Sequence, residues 1–142
     1  MSDLRVHKTK YINETKRVSF KYDGKNYFGY EGDTLASALL ANGVHLIGRS
    51  FKYHRPRGIM SCGSEEPNAI CQISDKNDLT EPNVRATELE IYDGLEAFSQ
   101  NCWPNVKFDI GGINNLISPL IPAGFYYKTF MWPKSFWKKV YE

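Results

Sequence analysis

The residues best suited to bind a charged ligand lie together in one short segment, 49–58. Its basic members are Arg49, Lys52, His54, Arg55 and Arg57. Guanidinium groups match phosphate and carboxylate oxygens in pairs, so this segment could hold a cofactor pyrophosphate or the acidic surface of a partner. Charged side chains are also common on solvated edge strands, where they prevent unwanted strand pairing. The segment is therefore a candidate cofactor-binding or interface site, with a solvated edge strand as the alternative.

The next loop, 61–68, has the small and polar residues of an iron-sulfur cluster loop but lacks the ligands. A plant-type 2Fe-2S cluster needs four thiolates, three of them in a C-x4-C-x2-C run, because each iron requires tetrahedral sulfur coordination. The chain has three cysteines, Cys62, Cys71 and Cys102, and no pair has either spacing. The sequence therefore excludes a four-cysteine cluster held by these residues alone.

The other reactive side chains form no catalytic or metal-binding pattern. The conceivable metal ligands are Glu65, Glu66, Cys62 and His54. They mix hard and soft donors and lack the spacing of a zinc or calcium loop. A nucleophilic Cys62 would need a base such as His54 to lower its pKa, whereas Cys71 and Cys102 are typical of small buried residues. We expect neither a catalytic residue nor a bound metal.

The composition indicates a soluble globular protein. The chain is 42% apolar and 24% charged, and no window approaches the roughly 20 apolar residues of a membrane span. A net charge of +2, from 18 basic and 16 acidic side chains, is too small for a dedicated nucleic-acid binder. The first residues lack the apolar region of a secretory signal, and scattered cysteines suit a reducing compartment. We expect a cytoplasmic protein that binds neither nucleic acid nor membrane.

The basic segment and the loop follow a predicted β-hairpin and helix. Asp23-Gly24 separates two alternating runs, and both residues tolerate the positive φ of a type I′ turn, so we predict a hairpin over 17–31. Asp33 is placed to cap a helix whose apolar stripe begins at Leu35. Gly43 can adopt the left-handed conformation that ends a helix. A hairpin followed by a helix is the opening of a β-grasp fold.

Three further strands are predicted, and then the regular pattern ends. The predicted strands are 45–53, bulged at Gly48, then 70–74 and 84–92. Residues 94–122 have no clear period and are interpreted as an extended connector, since a long irregular segment is unusual inside a compact domain. The run of aromatic residues over 125–141 includes the start of a helix, and we expect it to be buried against another surface.

Long runs of this sequence resemble the N-terminal region of the alpha subunits of heterotetrameric sarcosine oxidases. The runs are 17–27 (RVSFKYDGKNY), 32–58, 64–68 (SEEPN), 81–87 (EPNVRAT) and 123–137. The resemblance implies an α+β fold, a ferredoxin-like β-grasp domain with a long irregular C-terminal extension. It divides the chain into a flexible arm over 1–16, the β-grasp domain over 17–93, and a linker over 94–142 toward a missing dinucleotide-binding domain.

The same resemblance implies a function for the whole enzyme. Sarcosine is oxidatively demethylated to glycine, and the one-carbon unit passes to tetrahydrofolate. The implied cofactors are FAD, FMN, NAD and tetrahydrofolate, none of them bound by this chain. The implied partners are the remainder of the alpha subunit and the beta, gamma and delta subunits. This chain would serve as a structural and interface module, inactive by itself.

Similar domains in amino-acid dehydrogenases and hydrogen cyanide synthase carry a cluster in a loop of the type C-G-x-G-x-C-x-x-C. Aligning that loop on the apolar strand that follows places Ser61, Glu66 and Ala69 at the three thiolate positions. Two alternative functions stay open. The first is a 2Fe-2S electron-transfer subunit of an amino-acid dehydrogenase. The second is a small nucleic-acid-binding module that uses the basic residues of the segment with Phe51 and Tyr53 as stacking platforms.

Overall fold

A mixed α+β fold, mostly sheet, is seen in the computed structural model, which describes residues 4–5, 10–74 and 80–116. The strands are β1 (Asn13–Tyr22), β2 (Lys25–Glu31), β3 (Gly48–Arg49), β4 (Pro56–Arg57), β5 (Ile70–Ser74), β6 (Thr80–Arg85) and β7 (Leu95–Ser99). The helices are α1 (Leu35–Ala41) and α2 (Ile113–Leu116), with short 3-10 turns at Gly63–Glu65 and Ile110–Gly112. Five strands form one sheet in the order β2-β1-β7-β5-β6, and β3 pairs with β4. Within the described ranges, no helix is long and apolar enough to cross a membrane.

The predicted first hairpin is confirmed, and it begins earlier than expected. Asp23 and Gly24 have φ values of 48° and 72°, the left-handed pair that a two-residue hairpin turn requires. Strand β1 starts at Asn13 and has a register irregularity between Asn13 and Arg17. The last four residues of the predicted flexible arm, 13–16, are therefore part of the sheet. Upstream, the amide of Leu4 donates to the carbonyl of Ala41 at 3.0 Å.

Helix α1 begins one residue later than predicted, because Thr34 and not Asp33 caps it. The Thr34 backbone is extended, and its hydroxyl accepts a hydrogen bond from the amide of Ser37 at 3.2 Å. The Asp33 carboxylate is buried and turns toward β2, where it accepts from the Tyr30 amide at 2.9 Å and forms an ion pair with Arg5. Gly43, with φ 75°, follows the end of the helix as predicted.

The core lies between α1 and the five-stranded sheet. Its largest fully buried apolar side chains are Phe20, Leu35, Leu39, Ile47 and Leu95. Alternate residues of β1 point into this core, and the rings of Phe20 and Tyr27 stack with centroids 5.9 Å apart. Each such side chain stabilises the fold by about 1.5–3 kcal/mol relative to its exposed state. Ile47 and Ala69 both belong to the core cluster, so the two ends of the segment between α1 and β5 are packed into it.

The predicted irregular connector over 94–122 is wrong at Leu95–Ser99, which form strand β7, and its last residues, 117–122, lie outside the described part of the chain. Strand β7 is the central strand of the sheet, parallel to β1 at the pair Phe20–Leu95 and antiparallel to β5 at the pair Ile73–Ala97. Leu95 and Ala97 are fully buried. The strand is only five residues long, and its partners are distant in sequence, so the local pattern does not reveal it. The sheet thus continues past residue 93.

Strand β6 also lies elsewhere than predicted. It spans Thr80–Arg85 instead of 84–92, while the prediction of β5 over 70–74 is confirmed. The chain turns after Arg85, whose carbonyl accepts from the amides of Glu88 and Leu89. The alternating polar and apolar residues over 86–91 therefore belong to a turn and not to a strand. This turn buries Ala86 and Ile91 in the core.

Candidate functional site

The basic segment forms a small hairpin instead of one long strand. Only Gly48–Arg49 and Pro56–Arg57 pair, and the residues between them form a turn. The Ser50 amide donates to the Arg55 carbonyl, and the His54 amide donates to the Ser50 carbonyl, both at 2.9 Å. His54 has φ 53°, a left-handed conformation that reverses the chain. Of the predicted strand over 45–53, only Gly48–Arg49 forms a strand.

Two of the five predicted site residues, Arg49 and His54, bind an internal carboxylate. The Nδ1 atom of His54 lies 2.8 Å from Oδ2 of Asp109, and Nε of Arg49 lies 3.5 Å from the same oxygen. Arg49 also donates to the carbonyls of Val106 at 2.9 Å and His54 at 2.8 Å. These contacts hold the segment that follows β7 against the hairpin. We call the group of Arg49, His54 and Asp109 the clasp.

Asp109 is the centre of the clasp. Its side chain is fully buried, and Oδ1 accepts from the amides of Trp103 at 2.9 Å and Gly111 at 3.2 Å. Burial by itself would raise the pKa of this carboxyl, but hydrogen bonds from the Trp103 amide, His54 and the Gly111 amide lower it below its ordinary value. A Cβ atom at Gly111 would meet the His54 ring at 2.3 Å, so only glycine fits there. Sequence reasoning missed Asp109, because its partner His54 is 55 residues away.

The other three predicted site residues are on the outer side of the hairpin. Arg55 is exposed, lies over the Tyr53 ring at 4.8 Å from the centroid, and donates to Oδ1 of Asn115 at 3.2 Å. Arg57 is exposed and donates to Oδ1 of Asn68 at 2.8 Å. Lys52 is half-buried, with Nζ 4.9 Å from the same Tyr53 ring. The candidate site is thus split between an internal clasp and an outward basic surface.

Exposed apolar side chains occur on the hairpin and on the segment that the clasp holds against it. They are Phe51 on the hairpin, and Trp103, Phe108, Ile110, Ile113 and Leu116 on the segment after β7. The amide side chain of Asn114 donates to the Lys52 carbonyl at 3.4 Å, which keeps α2 against the hairpin. We call these apolar residues, together with Lys52, Arg55 and Arg57, the hairpin face.

The loop before β5 surrounds one buried carboxylate, that of Glu66, which is 1% exposed. Its Oε2 accepts from the amides of Met60 at 2.7 Å and Ser61 at 2.5 Å. Its Oε1 accepts from the amides of Asn68 at 2.7 Å and Ala69 at 3.1 Å. Burial would raise the pKa of Glu66, but the four amides together lower it below its ordinary value. Glu66 is therefore held as an anion within the loop.

Thr87 closes the loop from the opposite side. Its buried hydroxyl donates to the Gly63 carbonyl at 2.7 Å, and the amide of the preceding Ala86 donates to the Ala69 carbonyl at 2.8 Å. Thr87 was not predicted as a site residue, because the alternating pattern around it predicted a strand where the chain forms a turn.

The three thiols do not come together at one point of the loop. Cys62 is exposed, Cys102 is half-buried, and Cys71 is buried, with its thiol directed at the Val84 carbonyl at 3.4 Å. Burial raises the pKa of Cys71 to about 12 and also raises that of Cys102. Over 4–5, 10–74 and 80–116, no group of three or more metal-ligating side chains comes together. The residues present in the loop, with a carboxylate among four amides, do not fit a 2Fe-2S cluster.

The fold and the loop define a class, the ferredoxin-like domains. The family described as "2Fe-2S iron-sulfur cluster binding domain" matches residues 15–102, more than half of the chain. This chain belongs to that family. The predicted ferredoxin-like fold is therefore confirmed, although the loop lacks the set of four thiolates that a 2Fe-2S cluster needs.

Within this class, the chain is similar to the N-terminal region of sarcosine oxidase alpha subunits, as the sequence predicted. It is 56% identical over all 142 residues to sarcosine oxidase subunit alpha of Rhizobium meliloti (strain 1021), and spans 14% of that subunit. It is 41% identical over 88 residues, 61% of this chain, to 9% of the same subunit of Corynebacterium sp. (strain U-96). A crystal structure of L-proline dehydrogenase from P. horikoshii aligns over 63% of this chain and 16% of that one, at 23% identity and a TM-score of 0.49.

Proposed function

We propose that this chain is the N-terminal structural and interface module of a sarcosine oxidase alpha subunit. The observation that carries the proposal is the 56% identity over the full chain to the Rhizobium meliloti subunit. The whole enzyme would oxidatively demethylate sarcosine to glycine in the cytoplasm and pass the one-carbon unit to tetrahydrofolate. FAD, FMN, NAD and tetrahydrofolate would be held elsewhere in the alpha subunit and in the beta, gamma and delta subunits.

The chemistry of the loop supports a role in shape and contacts over a role in electron transfer. An electron-transfer subunit of an amino-acid dehydrogenase would need four thiolates around the loop. The loop positions hold Ser61, Glu66 and Ala69 instead, and the carboxylate of Glu66 fills the interior. The module would therefore contribute to the enzyme by binding its neighbours.

The hairpin face is the surface proposed for that binding, and the remainder of the alpha subunit is its proposed occupant. Trp103 and Phe108 are 69% and 68% exposed, and large exposed apolar side chains that occur close together commonly mark a contact surface. Aromatic and arginine side chains are enriched at protein interfaces. The relative's subunit is several times longer than this chain, so it has ample additional surface to cover the face.

Alanine substitution of Arg55 and Arg57 together in the complete enzyme tests this proposal. We expect weaker assembly of the subunits or lower cofactor content, because both side chains are exposed on the surface proposed for the contact. Arg17→Ala with Arg85→Ala is the matched control, since it removes two exposed arginines from other strands. Size-exclusion chromatography and flavin absorbance report both quantities. Assembly, flavin content and activity equal to those of the control would contradict the proposal.

A further inference from the structure

Glu66 differs from the other buried carboxylates in the source of its hydrogen bonds. Asp33 is paired with Arg5, and Asp109 with His54 and Arg49. The described partners of Glu66 are four backbone amides, with the Ser61 hydroxyl at 3.4 Å. The nearest acidic and basic residues along the chain are Glu65 and Arg57, and both are exposed. The described hydrogen bond of the Arg57 side chain goes to Asn68 and not to the Glu66 carboxylate. The negative charge of Glu66 is thus stabilised by the backbone amides of the loop.

Successive backbone amides that point into a concavity make an anion-binding site, and such sites hold phosphates and iron-sulfur clusters. The loop has this form: two amides before Glu66, those of Met60 and Ser61, and two after it, those of Asn68 and Ala69, converge on one point. The resemblance described above places the thiolates of the cluster-carrying loops at the positions of Ser61, Glu66 and Ala69. The carboxylate on which the four amides converge thus belongs to the residue at the middle of the three ligand positions.

We propose that the Glu66 carboxylate occupies the place of the iron-sulfur cluster and is the anion around which the loop is organised. The domain then keeps the loop conformation of its family without metal, and it has no redox centre of its own. The proposal depends on the loop geometry and on the family match over 15–102, and it stands independently of which enzyme the domain serves.

The organising role is tested with Glu66→Gln, which preserves shape and removes the charge. A glutamine has one acceptor oxygen, so its amide nitrogen must face either the Met60 and Ser61 amides or the Asn68 and Ala69 amides. We expect hydrogen exchange at one of these pairs to accelerate at least about tenfold, the effect of leaving a buried donor unsatisfied. Glu65→Gln, the exposed neighbour, is the matched control.

The amide of Leu35, which donates to the Leu89 carbonyl in the core, serves as the internal reference for global opening. Unchanged exchange at all four loop amides in Glu66→Gln would overturn the proposal. If this variant does not fold, Glu66→Asp, which keeps the charge, decides the question. A folded aspartate variant supports the organising anion. Failure of both variants would show that a negative charge at this position is not enough to organise the loop, and would refute the proposal.

Introducing cysteines at the ligand positions tests whether the Glu66 carboxylate occupies the place of a cluster. One variant carries Ser61→Cys, Glu66→Cys, Ala69→Cys and Thr87→Cys, the last because the Thr87 hydroxyl reaches the loop. A second keeps Glu66 and carries Asn68→Cys in its place, with Ser61→Cys, Ala69→Cys and Thr87→Cys, so that both variants have four added thiols in or against the loop. After anaerobic incubation with iron and sulfide, we expect about two iron atoms per chain in the first variant only. Equal loading of the two variants, or loading of neither, would show that Glu66 is not in the place of a cluster.

Discussion

Replacing Asp109 by asparagine would weaken the clasp that holds the segment after β7 against the hairpin. The substitution keeps an oxygen acceptor for the amides of Trp103 and Gly111. It places an NH2 group where Oδ2 now faces His54 at 2.8 Å and Arg49 at 3.5 Å. The clasp therefore loses its negative charge, and the new NH2 group faces the Arg49 donor.

The expected loss is about 2 kcal/mol. A hydrogen bond to a charged group contributes about 1.5–3 kcal/mol, and breaking one side of a fully buried ion pair costs about 3–5 kcal/mol. The lower range applies here, because the side chains of Arg49 and His54 are 12% and 21% exposed, and Arg49 still donates to two carbonyls. A loss of this size raises the population of the detached segment about 30-fold.

The assay is native-state hydrogen exchange of the Trp103 and Gly111 amides, with urea unfolding of the isolated chain. Exchange reports local detachment of the segment, whereas urea unfolding reports the loss that affects the whole domain. Glu88→Gln is the control, because it breaks an exposed ion pair with Arg85 at 3.4 Å that contributes at most about 0.5 kcal/mol. If exchange at both amides in the Asp109 variant matches that of the control, the clasp does not hold the segment, and the reasoning is refuted.

Two further predictions concern the isolated chain. Stability should fall as pH drops below the ordinary carboxyl pKa values of 4.5 for Glu66 and 3.8 for Asp109, because folding lowers both pKa values and the contribution is lost as pH falls through the folded values. Urea midpoints between pH 7 and pH 3 measure this, and an equally steep profile for Glu66→Gln would argue against it. Arg55→Ala with Arg57→Ala should change the free energy of unfolding by no more than about 0.5 kcal/mol, since both side chains are exposed; a larger loss in urea would assign them a role in the fold.

Local signals in the sequence were enough to predict the start of the fold. Asp23-Gly24 specifies a turn by its backbone preference, and Gly43 marks the helix end for the same reason. The apolar run of β5 was also found correctly. These features depend on residues adjacent in the chain, so the pattern contains the information. The prediction at Asp33 failed by one residue because its carboxylate has a partner, Arg5, that lies 28 residues away.

The candidate site could be predicted only in part, because some of its features depend on contacts between residues far apart in the sequence. The absence of thiolates at Ser61, Glu66 and Ala69 could be deduced by counting cysteines. Glu66, however, looks like any acidic loop residue until the chain folds and directs four amides at it. The internal role of Arg49 likewise depends on Asp109, sixty residues further along the chain. Long-range contacts such as these leave no periodic signal.

Iron and acid-labile sulfide analysis of the unmodified chain tests the central claim most directly. The protein would be incubated anaerobically with ferrous iron, sulfide and thiol, then desalted and assayed for both elements and for visible absorption. We predict a colourless protein with no stoichiometric iron or sulfide, because Glu66 already fills the amide cradle. Two irons and two sulfides per chain, with the absorption of a 2Fe-2S centre, would contradict the account.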